Sequence, residues 1–524
     1  MLALAACGLS ACGGGGDGGG AGLAGASDSS WLVFTPSSID RTTYAGESQL
    51  VNVRAKSSKT IPEKINIGII DGKGVFTTDV AIKAISATEY EATLRISPSL
   101  PLGTYTGSIE VRICLDDPVV CQKPVDGSPW QVPYKIVVAS GTHLRPLAAW
   151  PHIPGWSTYK GNASHTGFVP ATTDPAVFSR RWSWTDPVAA PAVPVSSVAV
   201  DSGVAFAVTG ASVGSDWTLW AISENNGSVL WKYAFGGLFN VNPPAAANGK
   251  VFVTSTGHED TYFWVFDQKT GALITKQARS SQWPNYLAPT VYGTEVYTET
   301  GSYGGMTKFD TTTNTFGWTI PLPQYDGWTP AVDDTYAYAY VASSLYAVRK
   351  SDGVVDFEIA DPQFKWAGYT VNGAPALGTD QAAYVVQFGP NNGGGDARLI
   401  AFDLAKRTIK WQVSGKFRSN PVLVGDVVYV VNNSLLEARA IQTGALLWAW
   451  NAPDGFDTGF LAVNDIVATN NLVFVSGKSN VYAIDTATRA SVWHYPQSGK
   501  LAISANGVLY ISTRYGQLIA VNLK

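Results

Sequence analysis

A twelve-residue shape returns along the last three-fifths of the chain. WAISENNGSVLW (220–231), WVFDQKTGALIT (264–275), TKFDTTTNTFGW (307–318) and YAVRKSDGVVDF (346–357) share it, and so do IAFDLAKRTIKW (400–411), EARAIQTGALLW (437–448) and YAIDTATRASVW (482–493). A half-copy, IAVNLK (519–524), ends the sequence. The starts lie 44, 43, 39, 54, 37, 45 and 37 residues apart. A period of that size marks a propeller or a solenoid, in which each repeat buries its faces only against its neighbours.

The residues within each repeat favour strands. Segments such as NGKVFVTST (248–256) and GDVVYVVNN (425–433) read as a turn followed by alternating apolar residues. The template then supplies a strand, a tight Asp/Asn/Gly/Thr turn and an outer strand ending in Trp or another large residue. A short strand ahead of the first turn, such as SNPVLV (419–424), completes four, the content of a propeller blade. The terminal Trp or Phe is expected to pack on the adjacent blade. Starts at Pro194, Pro244, Pro289, Pro330, Pro375, Pro421, Leu461 and Leu501 predict eight blades, with seven the alternative. The last blade has three strands, and RRWSW (180–184) is predicted to supply its fourth, closing the ring and removing two exposed edges.

Composition agrees with many short strands: 53 Gly and 12% aromatic residues, with only 15% charged. The net charge of −4 and the lack of any Lys/Arg run give no footprint for nucleic acid. No internal stretch is long and apolar enough to span a membrane. The fold expectation is therefore all-β: an N-terminal Ig-like sandwich plus an eight-bladed β-propeller. Residues 29–140 lack the repeat and alternate as strands at LVNVRA (50–55), KINIGII (64–70), YEATLRI (90–96), TYTGSIEVRI (104–113) and WQVPYKIVV (130–138). A Pro-rich linker at 141–155 leads to the propeller at 156–524. Cys114 and Cys121, across an Asp-Asp-Pro turn, suit a disulfide that would contribute about 2–3 kcal/mol.

The first 28 residues, opening MLALAACGLSACGGGGDGGGAG, resemble a bacterial lipoprotein signal and Gly-rich tether. Two Leu-small-small-Cys boxes, LAAC and LSAC, offer Cys7 and Cys12 for lipidation, with the basic start of the signal expected upstream. An envelope protein, lipid-anchored to a Gram-negative outer membrane, is implied.

The pattern seen in VFDQKTGALI and ARAIQTGALLW resembles the pyrroloquinoline-quinone-type propeller repeat, and WSTYKGNASHTGFVP (156–170) resembles that superfamily's lead-in. Two branches follow. Similarity to the quinoprotein dehydrogenases would imply a quinone over a Trp floor, a calcium or lanthanide ion, a catalytic Asp and an adjacent-cysteine disulfide. The repeats contain no Cys, and no cluster of oxygen ligands is assignable to a hard cation. Similarity to the propeller lipoprotein of the outer-membrane β-barrel assembly machinery implies a non-catalytic scaffold with envelope-protein partners and no cofactor, metal or catalytic residue. The Ig-like domain departs from that subunit, whose tether runs straight into its propeller. A third reading is a cell-surface propeller that binds glycans or proteins.

Other motifs have plainer explanations. GASVG (210–214) matches the nucleophile-elbow string around Ser212, but no helical pattern follows it. The histidines, His143, His152, His165, His258 and His494, show no metal-binding spacing, and His165 is read as a structural hydrogen-bonding residue. GPNNGGGDAR (389–398) lacks the Lys-Ser/Thr ending of a phosphate loop and is read as a long hairpin. The connections between successive blades should emerge on one face, and they are rich in aromatics. Trp283, Tyr286, Tyr325, Trp328, Phe364, Trp366, Tyr369 and Phe460, with Arg418 and Lys365, are the candidate binding residues. The alternative is that these rings fill grooves between blades.

Overall fold

A computed structural model describes residues 30–524 apart from 48, 62, 79, 188–192, 211–214, 258–260, 283–286, 325–326, 365–372, 389–396 and 458–463, together with the backbone of a strand at 2–5. The chain divides into two compact units, Met1–Gly141 and Thr142–Lys524. The described helices are two short 3-10 turns, and no described helix is long and apolar enough to cross a membrane.

The described residues of the N-terminal unit form nine strands: β1 (Leu2–Ala5), β2 (Leu32–Thr35), β3 (Ile39–Tyr44), β4 (Leu50–Ser57), β5 (Asn66–Ile70), β6 (Ala81–Ser86), β7 (Glu89–Arg95), β8 (Gly103–Cys114) and β9 (Trp130–Ala139). They form two sheets, β1-β5-β8-β9-β3 and β2-β4-β7-β6. Alternation dictates their inner faces: along β9, Trp130, Val132, Tyr134, Ile136 and Val138 are buried while the residues between them are more open. These residues share one core with Val51, Val53 and Leu94 of the other sheet, and Trp31 meets Trp130 edge-on at 5.1 Å. Cys114 and Cys121 are joined as a disulfide with a Cα–Cα separation of 5.5 Å.

Among the described residues the second unit holds eight antiparallel sheets that run from an inner to an outer strand, seven of four strands and one, within 240–278, with an additional short strand on its inner side. We number these blades in chain order by their inner strands, at Ala199–Asp201, Ala245–Ala247, Thr290–Tyr292, Ala331–Val332, Ala376–Leu377, Val422–Val424, Ile466–Ala468 and Lys500–Ile503. In blades 2 to 6 the predicted Pro immediately precedes the inner strand. Blade 1 starts later than Pro194 suggests, at Ala199, and the predicted start of blade 7, Leu461, lies outside the described residues. The middle strands also differ from the expected alternation: Val251–Thr256 are buried without a break. The reason is that both faces of a middle strand pack on neighbouring blades. The apolar clusters show it: one joins blades 1 and 2 around Phe206, Val253 and Trp264, and another joins blades 4 and 5 around Tyr340, Leu345 and Phe402.

The two ends of the second unit share one sheet, as expected for the strand at 180–184. Strand Ser179–Thr185 pairs antiparallel with Gln517–Asn522 and becomes the outer strand of blade 8. Arg181, 1% exposed, locks this closure by donating to the carbonyls of Arg145, Glu224 and Asn225 and to Asn522 Oδ1. The linker lies along the same blade: Trp150 N–H donates to Ala505 O, and Asn522 Nδ2 donates to His143 O.

The twelve-residue template has a mechanical meaning. Asp267 Oδ1 accepts from Lys269 N, Thr270 N and Thr270 Oγ1, fixing the turn that Gly271 completes at φ +71°. The closing Trp of one blade then lies on the turn of the next. Trp182, Trp231, Trp318 and Trp411 donate through Nε1 to the carbonyls of Glu224, Gln268, Lys350 and Ile441, respectively. Gly227, Gly271, Gly353 and Gly444 leave room beneath those rings.

Candidate functional site

The axis of the propeller is occupied by the lead-in segment, and its bonds proceed around the ring in chain order. Trp156 O accepts from Val200 N of blade 1, and Ser157 O accepts from Ala246 N of blade 2. Thr158 Oγ1 donates to Pro289 O, at the start of blade 3. Ala163 O, Ser164 O, Thr166 O and Gly167 O then accept from Val332, Leu377, Leu423 and Ala468 of blades 4, 5, 6 and 7. Inner strands of two to four residues leave donors that point at the axis, and residues 156–169 satisfy them. Two glycines make the path possible. A Cβ on Gly161 would stand 2.6 Å from the Trp156 ring, and one on Gly167 would stand 2.8 Å from Val422.

Three polar side chains of this hub project among the inner strands. Lys160 is 4% exposed, and its Nζ donates to Asp465 Oδ1 at 2.5 Å and Ile466 O at 2.7 Å. Burial pulls the ammonium below its ordinary range. Burial alone would raise Asp465, but Lys160, Lys500 and the donated bonds outweigh it and hold the carboxyl below its usual value. His165 is 1% exposed and is pushed down to about 3 by burial, so the imidazole is neutral. Its Nδ1–H donates to Pro375 O and its Nε2 accepts from Thr290 Oγ1, each at 2.9 Å. Tyr159 meets His165 edge-on and accepts from Asn420 Nδ2 at 2.6 Å. His165 is thus a structural hydrogen-bonding residue.

The connections from outer to inner strands leave the axis on one side, together with those between second and third strands, because each blade is an up-and-down meander. Buried ion pairs hold their bases. Arg398 grips Asp361 with two bonds of 2.8 and 2.5 Å, and Tyr340 OH donates to the same carboxylate. That pair ties the base of the connection into blade 5 to the hairpin beside 389–396. Arg279 and Glu299, 2% and 1% exposed, pair at 2.6 Å between blades 2 and 3. Gln324 bridges further out, donating to Gln282 Oε1 and Ser302 O.

Of the predicted binding residues, Trp283, Tyr286, Tyr325, Trp366, Tyr369 and Phe460, with Lys365, lie outside the described residues, as do Cys7, Cys12, Ser212 and His258. Trp328 is 1% exposed and packs in the cluster of blades 3 and 4 with Tyr297, Met306 and Leu322, so its ring fills an interblade groove instead of the face. Phe364 is half-buried against the same cluster. Arg418 is half-buried, and its backbone N–H donates to Val431 O. The hub pair Lys160–Asp465 and the Arg398–Asp361 clamp were not foreseen; their partners stand 305 and 37 residues apart, and no local pattern joins them.

Among the described axial residues, the Asp465 carboxylate is already committed to the hub. Asp465 receives Lys160 and Ile466 N on Oδ1 and Leu501 N on Oδ2, leaving little capacity to join the six or more oxygens a hard cation takes. The one described group of three metal-type ligands is Cys114, Asp116 and Cys121, whose two sulfurs form the disulfide.

The family model described as outer membrane protein assembly factor BamB matches residues 176–413 and 327–524. No curated relative matches the chain. Among solved structures, BamB from Moraxella catarrhalis is 14% identical and matches 66% of this chain and 98% of its own, with a TM-score of 0.48. A europium-containing methanol dehydrogenase is 11% identical, with 70% and 98% covered and a TM-score of 0.50. The quinohemoprotein alcohol dehydrogenase of Comamonas testosteroni is 12% identical, with 70% and 80% covered and a TM-score of 0.45. At such identities the likeness concerns the fold alone.

Proposed function

Because the chain belongs to the family of the outer membrane protein assembly factor BamB, we propose that it is a non-catalytic scaffold of a Gram-negative envelope that holds other proteins during outer-membrane protein assembly. The family match across the propeller carries this reading. The hub supports it: Lys160 of the lead-in bonds to Asp465 beside blade 7, and both His165 nitrogens are engaged, by Pro375 beside blade 5 and Thr290 of blade 3, as suits a rigid body that presents surfaces.

The contact surface in this reading is the face of the interblade connections, with Trp283, Tyr286, Tyr325, Phe364, Trp366, Tyr369, Arg418 and Phe460 as its aromatic and cationic contacts. Rigid aromatic rings with a few cations are what protein-binding surfaces favour. Extended segments of partners add to such a surface through backbone bonding and side-chain pockets. Lipidation at Cys7 or Cys12 would keep the protein at the outer membrane, and residues 29–140 would be an Ig-like spacer or second binding module.

A photo-crosslinking residue placed at Tyr325, Trp366 or Arg418 tests the assignment, with Lys269 in a turn of the opposite face as the control. Adducts with assembly-machinery subunits or nascent barrels at the first three positions and not at Lys269 are expected. Equal labelling from both faces would refute it.

A further inference from the structure

The edge of the N-terminal unit formed by β5 and β6 has a cavity of about 360 Å³ between its two sheets, lined by Ile67 and Ile69 of β5, Ile82 and Ala84 of β6, and Ile109 and Val132. Inward-facing residues of a closed sandwich are buried, as Val132, Tyr134 and Ile136 of β9 are. Ile67 and Ile69 are only half-buried although they line the interior, while Gly68, which faces the other way, is buried under Pro118. The two sheets therefore do not close over their apolar faces at this edge.

The outer edge of β5 is paired. Residues Leu2–Ala5 run antiparallel along it, with Leu2 opposite Ile70, Ala3 opposite Ile69, Leu4 opposite Gly68 and Ala5 opposite Ile67. All four residues are apolar.

We propose that the β5 edge and the cavity behind it are an acceptor site for an extended apolar peptide strand, with the chain's own Leu2–Ala5 segment as its resident ligand. The two halves of the site do different work. The row of backbone N–H and C=O groups on an edge strand supplies affinity for any extended chain, and a cavity under every second residue selects apolar side chains. A cavity of this volume is in the range that specific small ligands and side chains occupy. Processing at Cys7 or Cys12 would remove the resident strand and leave the acceptor open to an extended apolar strand from another protein.

Hydrogen exchange on the purified 524-residue chain and on a variant lacking residues 2–5 tests this, with the peptide MLALAA as the added probe. The deletion should speed exchange of edge amides within 66–70 by at least about tenfold while β8 and β9 keep their protection. MLALAA added in trans should restore it, and the same peptide carrying Leu4→Pro should not. Unchanged exchange after deletion would overturn the proposal. So would loss of protection throughout β8 and β9, which would make the segment a part of the folding core. Rescue by a straight-chain fatty acid but not by the peptide would also overturn it, assigning the cavity to acyl chains.

Discussion

The indole of Trp231, at the close of blade 1, lies on Gly271 in a turn of blade 2. A Cβ built on Gly271 would stand 2.5 Å from the ring, and Trp231 Nε1 donates to Gln268 O in the same turn at 3.0 Å. The Trp and the Gly of the repeat are therefore two halves of one joint, contributed by neighbouring blades. Three further junctions use the same pair, through Trp182, Trp318 and Trp411.

Gly271→Ala should destabilise the propeller by about 1–3 kcal/mol, through both the strained φ and the collision with Trp231. Gly249→Ala is the control, because its φ of +72° is equivalent and no atom lies within 4 Å of its added Cβ. Urea denaturation of the two variants separates the terms. Equal losses would show that the ring contact contributes nothing.

Removing one member of the Arg398–Asp361 clamp strands the other in a buried site. Asp361→Asn or Arg398→Met should each cost about 3–5 kcal/mol, while Arg398→Met with Asp361→Leu recovers a large part of that loss. A double-mutant cycle measured by thermal unfolding checks it. Single losses below about 1 kcal/mol would mean that the pair is effectively solvated.

Acid should weaken the hub through His165. Its folded value, about 3, lies below the ordinary 6.5, so across that interval the unfolded chain holds the proton that the folded chain excludes. The contribution is complete above pH 6.5 and declines as pH falls towards 3. Stability profiles of the wild type and His165→Gln should differ in slope there by up to about 1.4 kcal/mol per pH unit, the wild type being steeper. Parallel profiles would place the imidazole in contact with water.

Lys160→Met should leave the Asp465 carboxylate without its cation while keeping most of the side-chain volume. The loss should reach about 3 kcal/mol or more at neutral pH, and Lys160→Met with Asp465→Asn should be milder than Lys160→Met alone. Chemical denaturation at pH 7 reads both. A single variant as stable as the wild type would remove the hub pair from the account.

Much of this architecture is legible in the sequence because its determinants are local. The turn, as at Asp267, the glycine after it and the large residue that closes each template lie within twelve residues, and they recur. The closing strand around Trp182 is legible from arithmetic, since a ring of meanders with three strands at one end needs a fourth from the other. The inner strand of blade 1 is misplaced by a few residues because two or three positions cannot carry a periodic signal. The alternation expected of Val251–Thr256 gives way to continuous burial because that strand has a blade on each side. The lead-in motif is visible, but its role is not: Ser157, Thr166 and Gly167 bond to residues far along the chain, and a buried lysine has no signature in its neighbours. Trp328 shows the limit for aromatic loops. A tryptophan beside a proline-led strand can serve a groove or a face, and only packing against Tyr297 and Leu322 decides it.

The proposed role in outer-membrane protein assembly is tested most directly by crosslinking intact envelopes, capturing this chain and identifying its partners by mass spectrometry. The account predicts recovery of assembly-machinery subunits or nascent outer-membrane barrels, lost when Trp366, Tyr369 and Arg418 are replaced together by Ala. Recovery of redox-chain proteins or surface glycans in their place, with no assembly component, would contradict it.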